Sequence, residues 1–126
     1  QKKMDNRSRF VRSTFEDYAE SEVTDVALIN ISLHEARDIK RTIAVMHRSL
    51  KPSGVIIVSE FPYPDTKEGL RTPPARVMSG IQYFEAIIDD QLLPTREFVS
   101  LLSDAGFRNI KAVDLTPIHT VIIGYK

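Results

Sequence analysis

A histidine and two acids stand where apolar runs of this sequence end. Val26–Leu33 (VALINISL) leads into His34–Glu35, and Val55–Ser59 (VIIVS) leads into Glu60. A histidine oriented by a carboxylate is a usable general base, because imidazole takes up a proton near neutrality. If the two runs are neighbouring parallel strands, about 4.8 Å apart, His34 and Glu60 can approach each other across one strand spacing. Their positions at the carboxyl ends are where open α/β sheets bind ligands. Each residue also has a plainer use: His34 as the point where a strand turns into a helix, Glu60 as a solvated loop acid.

The remaining candidates carry less. His47 falls beside a helical stripe and is expected at the surface or boundary; His119 is expected to be an ordinary strand residue. Three histidines scattered in this way lack the spacing of a metal site, so no metal is expected. Cysteine is absent, which removes disulfides, thiolate ligands and a cysteine nucleophile, and fits a reducing cytoplasm. Tyr63 and Tyr83 are expected in core packing rather than in a substrate pocket. Gly80, inside a helix, either admits close packing by another element or is simply tolerated.

The elements that must position these residues follow from periodicity. Val26–Leu33 is apolar on both faces and predicts a parallel strand covered by helices on either side. In the following stretch, EARDIKRTIAVMHRSL, the residues Ile39, Ile43, Met46 and Leu50 form one helical stripe. Lys51-Pro52-Ser53-Gly54 should stop that helix, since proline lacks the amide and glycine turns freely. A second buried strand, Val55–Ser59, follows at once. Strand, helix, turn, strand is a right-handed crossover with two adjacent parallel strands.

Phe61–Pro74 reads as a long irregular connection, of the kind that is usually functional or mobile. A helix from about Pro74 to Asp90 carries the stripe Val77, Ile81, Phe84 and Ile88, widened by Met78 and Ile87. Thr95 is placed to cap a further helix, with Phe98, Leu101 and Leu102 inward and Gly106 ending it. The tail, broken at Thr116-Pro117, predicts an antiparallel pair closing one edge of the sheet. Phe10-Val11 is a candidate brief strand. The whole is one α/β domain over residues 1–126, with a segment 1–24 preceding a core over 25–126.

Composition narrows the function classes. With 126 residues, the chain can bury roughly two-thirds of its unfolded surface. Its 17 basic and 17 acidic residues balance, and no basic run interleaves with aromatics, so no nucleic-acid partner is expected. No apolar run reaches the roughly 20 residues that span a membrane, and no membrane partner is expected. The chain opens on Gln1-Lys2-Lys3 rather than methionine, which fits a fragment or a processed piece.

The stretch DVALINISLHEARDIKRTIAVMHRSLKPSGVIIVSEFPYPD resembles the S-adenosylmethionine-dependent O-methyltransferases that carry an LHDW motif after an apolar strand. In that family the motif is followed by a helix, by L-K-P-G-G, and by a strand ending in an acid. TREFVSLLSDAGFRNIKAV is similar to the family's T-x-x-E-F-x-x-L-L-x-x-A-G-F segment, and the resemblance covers the chain from about Phe10 onward. It implies a class I methyltransferase acting on a small-molecule hydroxyl. His34 would be the base that removes the hydroxyl proton, Glu35 stands at the neighbouring acid, and Glu60 would orient the base. On the cofactor side the resemblance points to Ser13, where an aspartate near the adenine is expected, to Asn30, where lysine is frequent, and to Ile31. Ala36 replaces the tryptophan of the motif, and Leu93 stands where a second orienting acid is expected.

The resemblance also implies what is missing. The family's glycine-rich turn and ribose-binding acid lie upstream of the match, and none of the five glycines here forms such a cluster. Against a full strand order of 3-2-1-4-5-7-6, the chain would hold a remnant of the third strand and the fourth to seventh, a partial Rossmann-like sheet. Only one wall of the cofactor crevice would then be present, so weak or absent binding of S-adenosylmethionine is expected and the chain alone would be inactive. The free edge of Val26–Leu33 should recruit a second copy as a homodimer, unless Phe10-Val11 folds back over it. The rival expectation is a non-catalytic dimerisation module derived from such an enzyme.

Overall fold

The structure, a computed structural model, describes residues 7–126. Its elements are β1 (Thr24–Asn30), α1 (Ile39–Ser49), β2 (Leu50–Glu60), α2 (Pro73–Ile87), α3 (Thr95–Asp104), β3 (Arg108–Thr116) and β4 (His119–Tyr125), with one 3-10 turn at Gly69–Arg71. The four strands form one sheet in the order β1-β2-β4-β3. β1 and β2 are parallel, in register from Val26 opposite Val55 to Asn30 opposite Ser59. β4 lies antiparallel to β2 on one side and to β3 on the other. This is the order expected for the fourth, fifth, seventh and sixth strands, and the chain is a partial Rossmann-like sheet closed by a hairpin.

Helix α1 begins four residues later than the histidine–acid pair because Asp38 caps it, its carboxylate accepting the Arg41 amide at 2.9 Å. The predicted stripe faces the sheet: Ile43 and Leu50 are fully buried, and Ile39 and Met46 pack against them. The turn before β2 is built differently from a simple stop. Leu50 already pairs with Thr24, and a step of two residues on β1 then matches five on β2, so Lys51–Gly54 bulges out of the ladder. Ser53 takes a left-handed φ of 65° there. A side chain at Gly54 would meet the Lys51 carbonyl at 2.9 Å, so only glycine fits beneath the bulge.

The core lies on one face of the sheet. Ile29, Ile56, Val58 and Ile122 meet Ile43 of α1 and Phe98 and Leu102 of α3. Phe98 and Leu102 point inward as predicted and Leu101 is partly buried, while Thr95 is the first helical residue and Pro94 the cap, so the expected Thr95 cap is not made. Gly106 ends α3 with a φ of 96°.

Three expectations are corrected. β1 stops at Asn30, and it is covered on one face only: Ala27 and Ile29 join the core, whereas Val26 and Leu28 are 51% and 65% exposed. Phe10-Val11 forms no strand and does not pair with β1; both residues are exposed, and β1 is a sheet edge among the described residues. In α2 the buried side chains are Ala75 and Met78, while Val77, Tyr83, Phe84, Ile87 and Ile88 face outward. Tyr83 therefore meets Phe84 edge to face at the surface rather than in the core, and a side chain at Gly80 would meet no other described element within 4 Å, so no neighbour uses its small size. No helix among the described residues is long and apolar enough to cross a membrane.

Candidate active site

The site is built at the exit of β1. Ile31 adopts a φ of 50°, which turns the chain off the strand while its amide still donates to the Ser59 carbonyl at 2.7 Å. The next residues curl over the carboxyl end of β2. Glu60, the last residue of that strand, is 1% exposed and is used completely. Its Oε1 accepts the amides of Ser32 at 3.1 Å and Leu33 at 2.7 Å, and its Oε2 lies 2.7 Å from His34 Nδ1. One acid thus fixes both the turn and the ring.

Because a carboxylate only accepts, Nδ1 is the donor in this pair, and when the ring is neutral Nε2 carries the lone pair. Burial pushes the His34 pKa down, but the hydrogen bond and charge of Glu60, with smaller contributions from Glu85 and Glu35, outweigh it and leave the pKa raised. Glu85 reaches this place from α2, with its Oε2 at 3.7 Å from Nε2. That oxygen is out of solvent and makes no hydrogen bond. Glu35, next to the histidine, is exposed, and it lines with His34, Ala36, Arg37 and Ile39 an open cleft of about 680 Å³. The arrangement suits proton acceptance at Nε2, with the imidazolium stabilised by Glu60.

Of the residues singled out from sequence, His34 and Glu60 are brought into direct contact and Glu35 stands at the cleft mouth. Ser13 lies in the irregular segment before β1 and shares a smaller cleft with Glu35 and Ala36. Asn30 is exposed at the strand end, its carbonyl accepting Ser32 Oγ, and Ile31 is half-buried beside it. Leu93, at the position of the absent second acid, is a core residue. Glu60 is not the solvated loop acid of the plainer expectation. His47 is half-buried edge-on against Phe107, and His119 Nε2 lies 2.7 Å from Ser59 Oγ.

Glu85 was not foreseen. Its signal was an acid inside an otherwise apolar run, Tyr83 to Ile88, but the outward stripe of α2 masked it. The inward line of that helix runs Ala75, Met78, Gln82 and Glu85, spaced by three, four and three. Gln82 also works inward, its Oε1 accepting the Leu92 amide at 2.8 Å. Metal ligation, not expected from the histidine spacing, has its own geometry here: His34, Glu35 and Glu85 offer donor atoms within 4.8 Å of one another.

No protein-family model and no curated protein matches the sequence. Solved structures do match. An O-methyltransferase family protein from Burkholderia thailandensis superposes with a TM-score of 0.78 at 20% identity, over 96% of this chain and 36% of that one. The fold is a methyltransferase fold. A SAM-dependent methyltransferase from Thermotoga maritima gives 0.69 at 19% identity, over 90% and 62%. The 1,6-didemethyltoxoflavin-N1-methyltransferase of Burkholderia thailandensis, solved with S-adenosylhomocysteine, gives 0.68 at 18% identity, over 94% and 50%. The chain thus spans between 36% and 62% of the length of these structures. They carry the acceptor labels O and N on one fold, so the fold does not select the acceptor atom.

Glu35, Ala36 and Ser13 face a common cleft, but the glycines lie elsewhere: Gly54 at the bulge, Gly69 in the 3-10 turn, Gly80 in α2, Gly106 after α3 and Gly124 in β4. None forms a turn beside His34 that a sulfonium amino acid could approach closely.

Proposed function

We propose that this chain is the carboxyl-terminal part of an S-adenosylmethionine-dependent methyltransferase domain acting on a small-molecule hydroxyl. The observation that carries it is the buried Glu60–His34 pair at the carboxyl ends of two parallel strands, beside an open cleft that His34 helps to line. The cofactor, when bound, supplies the methyl group. His34 Nε2 accepts the proton that the hydroxyl loses, and the resulting imidazolium is held by Glu60 behind the ring and faces Glu85. Glu60 acts through His34 and is a positioning residue. The free edge of β1 and its exposed Val26 and Leu28 agree with a sheet whose other half belongs to the rest of the domain.

The same free edge favours a second reading, a non-catalytic module that pairs with another copy through β1. The two part at the gene. An in-frame glycine-rich turn encoded upstream of Gln1 supports the enzyme, and its absence supports the module. For the chain itself, calorimetric titration with S-adenosylhomocysteine should show no tight binding, and micromolar affinity would overturn the half-site argument. In the longer protein, His34→Gln should lower kcat at least about a hundredfold with cofactor affinity nearly unchanged. Unchanged kcat would remove His34 from the chemistry.

A further inference from the structure

The cleft beside His34 is lined with acid. Glu35 reaches it from the turn after β1, and Asp89 and Asp90 from the turn after α2, against a single base, Arg37. None of these three carboxylates has an ion pair among the described residues. Arg37 does not balance them, because it also borders clefts that hold Glu16, Asp17 and Asp38. Solvated acids alone would ask for nothing more, but two buried groups stand behind them. The His34 side chain is 2% exposed, and its Nε2 makes no hydrogen bond to a described residue. Glu85 Oε2, 3.7 Å from that nitrogen, is out of solvent and equally without a hydrogen bond. A desolvated carboxylate oxygen without a donor is costly, and a neutral Nε2 cannot supply one, since its lone pair also accepts.

We infer that the acceptor is a cation, a hydroxyl compound with an ammonium group on the neighbouring carbon, and that Glu85 selects it. The inference rests on the methyl-transfer reading and adds the substrate class. The hydroxyl donates to His34 Nε2 and the ammonium to Glu85 Oε2; acceptor atoms 3.7 Å apart suit donors on adjacent carbons. An ammonium has three hydrogens, so a further one can meet the exposed Glu35, whose carboxylate lies within 4.8 Å of both other atoms. A second hydroxyl in its place would satisfy Glu85 with a weaker bond, and a carboxylate would be repelled. Asp89 and Asp90, along the same cleft, draw a cation in, while Ile39 and Ile88 offer apolar contact to its carbon skeleton. The hydroxyl proton passes to Nε2 as the oxygen–methyl bond forms, and the C–S electron pair stays on the sulfur. An amine held as its ammonium has no lone pair to attack with, so the same contacts direct the methyl group to oxygen.

All the contacts invoked belong to this chain, so the chain itself serves for the test. Three probes of similar shape differ in charge: 2-amino-2-phenylethanol, an ammonium at pH 7, the neutral 1-phenyl-1,2-ethanediol, and the anion mandelate. Each is titrated at pH 7 with the His34 ring nitrogens followed by 15N NMR. The amino alcohol should shift Nε2 and bind at least about tenfold more tightly than the diol, with no shift from mandelate. Glu85→Gln should bring the amino alcohol and the diol to within about threefold of each other. Asp89→Asn/Asp90→Asn should weaken the amino alcohol about threefold and leave the diol unchanged. Glu85 holds no backbone, and asparagine tolerates the left-handed φ of 66° at Asp89, so the variants should fold, as circular dichroism will check. A diol or mandelate that binds as tightly as the amino alcohol overturns the inference, as does an Nε2 that no probe shifts. A preference that survives Glu85→Gln overturns the assignment to Glu85. In the longer protein, methyl transfer to the diol but not to the amino alcohol would sink the cation site and keep the enzyme. Preference for the cation without any methyl transfer would keep the site and remove the enzyme.

Discussion

Helices α1 and α2 both carry an apolar stripe, and they turn it in opposite directions. In α1 the stripe lies against the sheet, with Thr42, Ile43 and Val45 buried and charged residues outward. In α2 the larger apolar side chains, Phe84, Ile87 and Ile88, are 69%, 65% and 63% exposed, and the inward line includes Gln82 and Glu85. Periodicity states that a helix has a face; what else is present decides what that face meets. For α1 the sheet lies next in sequence and covers the stripe. For α2 the inward side is spent on polar tasks, taking the Leu92 amide and standing across from His34. The first helix builds the core, and the second brings Glu85 across from His34 while leaving a surface open.

The sharpest way to test that division is to compare the two acids on either side of the His34 ring. Glu60 holds backbone and ring together, so Glu60→Ala leaves two amides and Nδ1 without partners in the interior. A loss of about 3–5 kcal/mol in urea denaturation is expected. Glu85 holds nothing, so Glu85→Gln should cost less than about 1 kcal/mol. Equal losses would erase the distinction between an acid that supports the fold and one that only faces the site.

The raised pKa of His34 makes the next test one of pH. In the unfolded chain the ring titrates near about 6.5. Folding binds the proton more tightly, because Glu60, Glu85 and Glu35 together outweigh burial. The resulting stabilisation is fully present below the unfolded value and is lost as pH rises through the raised folded value. His47 has the opposite sign: burial, then Lys126, lowers its pKa, so its contribution is present above about 6.5 and is lost as pH falls. The two partly cancel in the whole protein. The expected result therefore appears as a difference: urea midpoints of the wild type fall relative to those of His34→Gln as pH rises above about 6.5. Parallel curves would show that the ring gains no proton affinity on folding.

Much of the α1 side was legible because local signals agreed there. The β-branched run before His34, the stripe from Ile39 to Leu50 and the break at Lys51–Gly54 all point to one crossover, and strand adjacency then brings Glu60 to His34. Two details escaped because they depend on side chains satisfying particular amides. The helix start is set by Asp38 rather than by the end of the strand, and Asp38→Ala should cost about 1 kcal/mol, read from thermal unfolding. The strand ends at Asn30 because Ile31 turns left-handed so that Ser32 and Leu33 can reach Glu60. On the α2 side, hydrophobicity favoured the wrong face. An inward Gln82 and Glu85 are visible in sequence only to a reader who already knows that a buried amide and a histidine wait opposite them.

The smallest effect on stability should come from the surface that α2 leaves open. Phe84→Ser and Ile88→Ser remove apolar area that is already in water, so each should shift stability by no more than about 0.5 kcal/mol. Their consequence lies in association instead. Val77, Tyr83, Phe84, Ile87 and Ile88 expose apolar area along one helix, and exposed area of that kind marks a contact when it is contiguous. The edge and open face of β1 form a second such surface, presented as unpaired backbone as well as side chains. Light scattering of Phe84→Ser/Ile88→Ser against Leu28→Lys separates the two. If α2 is the contact, the first pair lowers the associated mass and the second leaves it. A monomer in every case would show that neither surface recruits a second copy, and would leave the free edge of β1 to the remainder of a larger domain.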